Sequence, residues 1–296
     1  MNTLNLAILC ALLLVIVIGV WFLRRRGREQ SGHVEVARTA IQACNCLLQL
    51  IGHIQQHRGM STAHLAGDHG FDRRLIEKRA EIEPLLAKLQ AVSQNENSYS
   101  YPCFTPNDVS LWRHRWSSLV NELDSYTVEK SIATHSNLIA TLLNWLGALG
   151  EARVELPMGE ALPNGSVRNF AHRLPQLTET LGQARATGSG VAAKGSCSAV
   201  ARVRLMFLVS RAESLIDQAC AVDKQGSAAA QKVRALAELT RTHMLGSQKV
   251  GVSAEQYFAA ATQAIDAVFF WVRECGGALE QQLANNMQIG KPGSAK

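Results

Sequence analysis

Proline is scarce in this chain, seven in 296 residues, so little interrupts a helix where the apolar spacing calls for one. Charge is sparse too. With 18 % charged and 47 % hydrophobic residues, the composition excludes a disordered chain and fits a folded one large enough for one large or two medium domains. The seven cysteines, at positions 10, 44, 46, 103, 197, 220 and 275, are odd in number and follow no pairing rhythm. That excludes a disulfide framework and agrees with a reducing compartment. Cys44 and Cys46 point to different sides of a helix and are not a ligand pair. Also missing are a nucleophile elbow, a phosphate loop and any paired-carboxylate signature. The chain is therefore not expected to be an enzyme, and no cofactor is read from it.

What the chain has is helical periodicity. Apolar spacing predicts helices over about 33–66, 71–92, 107–123 and 128–154, then over 167–194, 198–222, 228–245 and 254–286. Between the two sets, residues 155 to 166 hold two prolines and two glycines and read as a joint. Leu75, Ile82, Leu85, Leu86 and Leu89 form the apolar side of the second helix, opposite a charged, solvated face from Arg73 to Glu81. Leu111, Trp112, Trp116, Leu119 and Val120 mark the third, its tryptophans read as core. The expected fold is all-α, one N-terminal transmembrane helix followed by two packed four-helix bundles, with halves at about 33–155 and 166–287 and a flexible tail over 288–296.

Residues 4 to 23 contain one clearly polar side chain, Asn5, and twenty helical residues span about 30 Å of hydrocarbon. No Lys or Arg precedes Leu4, whereas Arg24, Arg25, Arg26 and Arg28 follow Leu23, which argues against a cleaved signal peptide. The formal net charge of +6 therefore finds its strongest cluster beside a membrane segment, and nucleic acid is not expected as a partner. By the positive-inside rule the chain is expected in the inner (cytoplasmic) membrane as a single-pass protein with its C-terminal domain cytoplasmic. Residues 1–29 are the anchor and its basic flank, and Gln30-Ser31-Gly32 reads as a short joint.

Two apolar stripes end unusually. Leu47, Ile51 and Ile54 put Arg58 next on the same helical face, with small residues Gly59, Ser61, Thr62 and Ala63 behind it. Leu174, Leu177 and Leu181 lead in the same way to Arg185 and Thr187-Gly188-Ser189-Gly190. An arginine on a buried stripe needs a carboxylate or a bound anion. Two helices meeting over a small anion would satisfy both arginines. Pairing with carboxylates of other helices, Glu35, Glu151, Glu179 or Asp217, would do so as well. Cys46, His53, His57 and His64 share one face of the first helix, but a straight stripe cannot surround an ion alone, and no metal site is read from it.

The segment Gln56-His57-Arg58-Gly59-Met60-Ser61 resembles the opening motif of the nitrate- and nitrite-sensing (NIT) domain, in which a glutamine-rich helix ends in Arg-Gly-x-Ser. Glu179 to Ala186 is similar to that family's second motif, a leucine-glycine pair before an arginine, and Val252 to Asp266 to its last helix. The resemblance covers about residues 36 to 285. It departs from the family at His57, where an acidic residue is common, and at Ala186, where glycine is.

The resemblance implies a pair of four-helix bundles with nitrate or nitrite held between them by arginines. Arg58 and Arg185 match by motif position, and Arg241 is similar in placement to a later one. It also implies a signalling role. The chain ends about ten residues after its last helical pattern, so the output is expected to lie in an unidentified protein partner, with homodimerisation left open. The competing expectation is a membrane-anchored helical scaffold or interaction protein with no ligand.

Overall fold

The computed structural model describes residues 3–246 and 249–289, the first thirty largely by backbone. Among the described residues the chain is helical without strands, and eight helices form its frame. They are α1 (Thr3–Leu65), α2 (Asp72–Glu96), α3 (Pro106–Asn121), α4 (Val128–Leu149), α5 (Leu174–Lys194), α6 (Ala199–Val222), α7 (Ser227–Thr240) and α8 (Ala254–Ile289). Local chemistry fixes several starts. Thr105 caps α3 in a capping box with Asp108, with Pro106 in the first turn. Thr127 and Ser198 accept the first free amides of α4 and α6, and Ser253 and Gln256 exchange bonds at the start of α8. Gly195 ends α5 in the left-handed region, at φ 63°, where a side chain would be strained.

In the first half, α1 packs on α2 and α4, while α3 bridges α2 and α4. In the second, α5 packs on α6 and α8, and α7 bridges those two. The halves meet where α1 contacts α8 and α5 and where α4 contacts α5. This position explains why Val34 to Ile54 of α1 is buried on several faces, with Ala37, Ile41, Cys44, Leu47, Leu50, Ile51 and Ile54 all at 0 % exposure. Three π-helical turns, Gly150–Glu155 after α4, Asn169–Arg173 before α5 and Arg241–Leu245 after α7, widen the helix locally. The first two meet so closely that a Cβ on Gly150 would lie 2.4 Å from that of Ala171.

Several expectations change. The joint at Gln30-Ser31-Gly32 does not exist, because α1 runs through it as one helix of 63 residues. A lone glycine costs a helix only about 1 kcal/mol, too little to break one. Leu111 is half exposed, and the buried stripe of α3 keeps the expected Trp112, Trp116 and Leu119 but takes Val109 in place of Leu111. The tryptophans are core: Trp112 donates Nε1–H to the Leu138 carbonyl at 3.0 Å, and Trp145 stacks on Phe104. Among the described residues no helix is long and apolar enough to cross a membrane. The segment expected to do so, 4 to 23, forms the N-terminal part of α1, but most of its side chains lie outside the described residues, as does the tail from 290. Of those described, Leu14, Val17, Ile18, Trp21 and Phe22 are exposed.

The seam between α5 and α8 is close-packed at Gly188, where a Cβ would come within 2.1 Å of the Tyr257 ring. Tyr257 is buried and held by Thr240 Oγ1 and the Ala184 carbonyl. Urea denaturation is expected to show Gly188→Ala destabilised by about 1–3 kcal/mol. Gly190→Ala on the same helix, which meets nothing within 4 Å, is expected to be stabilising by a few tenths of a kcal/mol, up to about 1.

Candidate functional site

Arg58 is carried into the interior by the apolar stripe before it and is 3 % exposed. Across the interface, α5 places a carboxylate opposite. Glu179, itself buried among Leu177, Thr178, Thr180 and Leu181, receives the guanidinium as a fork. Arg58 Nη1 donates to Oε1 at 2.6 Å and Nη2 to Oε2 at 3.1 Å, with a further bond from Nη1 to Ser136 Oγ of α4 at 2.9 Å. Gln55 and Gln183 complete the carboxylate at 3.0 and 2.9 Å. The carboxylate alternative is thus realised for Arg58, through Glu179. Of the other acids considered, Asp217 pairs with Arg234 on the surface, and Glu35 is exposed.

Arg185 is brought to the same place but is held differently. A Cβ at Gly182 of α5 would lie 2.7 Å from Nη2 of Arg58, and one at Gly59 of α1 would lie 3.9 Å from Nη2 of Arg185. Each arginine therefore lies over a glycine of the opposite helix, and any side chain at Gly182 would displace the Arg58 fork. Among the described residues the Arg185 guanidinium hydrogen-bonds Thr262 Oγ1 at 3.0 Å and rests over the Phe258 ring at 4.8 Å. That uses one of its five N–H donors. Burial first, and the Arg58 charge second, push the Arg185 guanidinium below its ordinary pKa. The Asp266 and Glu179 carboxylates offset part of this, and an arginine keeps its proton under such forces.

Arg241 is placed elsewhere. It lies in the π turn after α7, 43 % exposed, with both terminal nitrogens on the Glu213 carboxylate of α6. Two surface cavities of about 300 and 360 Å³ are lined by residues of the joint and its flanks, among them Glu155, Val167, Arg168 and His172. Neither is lined by Arg58 or Arg185. Arg58 and Glu179 close the seam between α1 and α5, with Arg185 half-buried beside them.

Beside this seam lies a histidine pair unforeseen in the sequence. His135 Nδ1–H donates to the Ser131 carbonyl at 2.7 Å, which leaves its Nε2 to accept from His57 Nδ1–H at 2.9 Å. His57 Nε2 then carries a buried lone pair with no protein partner among the described residues, and the ring sits edge-on against Trp116. Burial holds both imidazoles neutral, well below their ordinary pKa, and each is further lowered by neighbouring positive charge. Glu179, the lone carboxylate of α5, was one of four acids the sequence offered as partners. For His135 there was no signal, since its partner lies 78 residues away.

The family model described as nitrate and nitrite sensing matches residues 49–288. Comparison with curated proteins gives no match. Among solved structures, one titled "Structure of the NasR transcription antiterminator" is similar with a TM-score of 0.69 at 18 % identity, covering 92 % of this chain and 82 % of that one. At that identity the likeness is one of fold.

The neutral histidines set a pH dependence. Below the ordinary value of 6.5, the unfolded chain takes up protons that the folded pair refuses, so stability falls with acidification, by up to about 1.4 kcal/mol per pH unit for each histidine. Denaturation midpoints measured from pH 7 to pH 5 are expected to drop in the parent and to drop less steeply in a His57→Gln/His135→Gln double variant.

Proposed function

Since the chain belongs to the nitrate and nitrite sensing family, we propose that it is a membrane-anchored sensor binding nitrate or nitrite at the seam between α1 and α5, with Arg58 and Arg185 as its ligands. One observation carries this reading. One guanidinium is forked on a buried carboxylate, and a second, near enough for its charge to bear on the first, keeps donors unused among the described residues. Nitrate is a planar monoanion with acceptor oxygens that a guanidinium fork matches two at a time. A carboxylate has the same planar pair of oxygens, so Glu179 stands in the fork as an internal substitute for the ligand. Binding then means exchange: the anion takes Nη2 of Arg58 and the open donors of Arg185, while Glu179 keeps Gln55 and Gln183. Arg241, bound to Glu213 on the outside, has no part in this arrangement.

The exchange lies on α1, which runs unbroken from Thr3 to Leu65, about 95 Å at 1.5 Å per residue. A shift of Arg58 along or about that axis is carried toward Leu14, Val17, Ile18 and Trp21, which recur at helical spacing on an exposed apolar face. In this reading residues 1–29 are the anchor in the inner membrane, residues 36–285 the cytoplasmic sensor unit and 288–296 a tail, and the signal passes to a separate protein partner. No catalytic step, cofactor or nucleic acid is assigned. Homodimerisation is compatible with it.

A second reading, a membrane-anchored scaffold without ligand, draws on one fact: Glu179 already satisfies Arg58. Calorimetric titration of the full chain in detergent with nitrate, nitrite, chloride and sulfate separates the two. The sensor reading expects saturable nitrate or nitrite binding, weakened roughly ten- to a hundredfold by Arg58→Ala or Arg185→Ala through loss of charge-assisted bonds. It also expects tighter binding in Glu179→Gln, whose neutral amide competes less for the fork. Absence of binding in both the parent and Glu179→Gln, with the arginine variants merely less stable, would leave the scaffold.

A further inference from the structure

The turn that closes α1 gathers two histidines and two carboxylates that the anion site does not use. His64, in the last turn of α1 and 15 % exposed at its side chain, is held from both ring nitrogens. Its Nε2 lies 2.8 Å from Asp124 Oδ1, in the short turn Leu123–Ser125 between α3 and α4. Its Nδ1 lies 2.6 Å from Asp72 Oδ1, the first residue of α2. His69 stands beside them, its ring edge-on to that of His64 with centroids 5.5 Å apart and its Nδ1 3.8 Å from Asp72 Oδ2. One ligand atom each from His64, His69 and Asp72 falls within 4.8 Å of the other two.

We propose that His64, His69 and Asp72 bind one divalent transition-metal ion of the zinc type, with Asp124 as the outer carboxylate that orients His64. The donor chemistry calls for positive charge there, supplied by the second proton of an imidazolium or by a metal ion in its place. Once Nε2–H is given to Asp124, His64 Nδ1 presents a lone pair to a carboxylate oxygen 2.6 Å away, and two acceptors so close need a proton or a metal ion between them. Two imidazoles and one carboxylate select zinc, copper or nickel over magnesium or calcium, which prefer oxygen throughout. A carboxylate on the far nitrogen of a metal-bound histidine fixes its tautomer and ring orientation, which is the place Asp124 occupies.

The geometry is within reach of coordination. Tetrahedral ligands at about 2.0–2.1 Å from zinc stand roughly 3.3 Å apart, so the widest pair, within 4.8 Å, closes by about 1.5 Å at most, and the His64–Asp72 pair at 2.6 Å opens by about 0.7 Å. His69 and Asp72, 74 % and 54 % exposed, have the rotamer freedom to supply that. The turn itself is built tightly: Gly67 takes a positive φ of 101°, and Asp68 is spent on the Gly70 amide, so it fixes the loop and does not serve as a ligand. Three protein donors leave the fourth position to water. The ion would tie the end of α1 to the start of α2 and, through Asp124, to the α3–α4 turn. The stripe Cys46, His53, His57 and His64 plays no such role, since Cys46 bonds the Leu85 carbonyl, His53 meets Glu81 and His57 meets His135.

The test uses the full chain in detergent, stripped with chelator, then titrated with Zn²⁺ against a chromophoric chelator and with Co²⁺ for its visible spectrum. One equivalent is expected at micromolar affinity or tighter, with d–d bands and no sulfur-to-cobalt charge transfer. His69→Ala and Asp72→Asn are expected to weaken it at least tenfold, Asp124→Asn by about ten- to a hundredfold, and the surface variant His114→Ala not at all. Circular dichroism checks that each variant is folded. Failure to compete with the chelator, a thiolate charge-transfer band, or binding unchanged in a His64→Ala/His69→Ala double variant would each overturn the proposal.

Discussion

The structure depends on keeping one guanidinium out of water. Arg58 sits where an apolar stripe would place a leucine, and a charge so buried is tolerated only if it is paired and fully hydrogen-bonded. Glu179 supplies the pair, and Gln55, Gln183 and Ser136 supply the remaining bonds. Because α1 and α5 belong to different halves, this requirement also fixes how the halves meet. Removing either partner leaves an unpaired buried charge at a cost of about 3–5 kcal/mol, so the register of the two helices is set electrostatically as well as by packing.

The same pairing is what the proposed anion exchange acts on. A buried ion pair near a second, under-satisfied cation is an arrangement with two solutions: the carboxylate in the fork, or an external anion shared between the forks. Gly59 and Gly182 let the two helices approach until each arginine overlies the other backbone. The neutral His57–His135 pair next to Arg58 adds no positive charge at ordinary pH, which keeps the local excess to the two arginines. His57, the position that departs from the family's usual acid, is thus accounted for by a partner on α4.

Much of this was legible in the sequence. The eight helical segments follow apolar spacing, and once the π turns beside α4, α5 and α7 are counted their observed limits differ by only a few residues, except where α1 extends to Thr3. Arg58 and Arg185 were marked by the stripes leading into them, and Glu179 stood among the acids able to answer. The π turns were not legible, since one extra residue in a turn leaves no mark on periodicity. Nor was the placement of Arg241: its surroundings read as apolar helix, yet α6 offers it Glu213 on the outer face.

By itself, then, the sequence determined the helical elements, the buried faces and the two arginines that had to be neutralised, because these follow from side-chain spacing within one helix and from the cost of burying charge. Only the tertiary structure decided which acid met Arg58, that Arg185 retained open donors, that His57 found His135, and that His64, His69, Asp72 and Asp124 converge from three turns. Apart from His64, His69 and Asp72, which one turn brings together within eight residues, those are contacts between residues far apart in the chain, fixed by how helices cross, and no local pattern encodes a crossing.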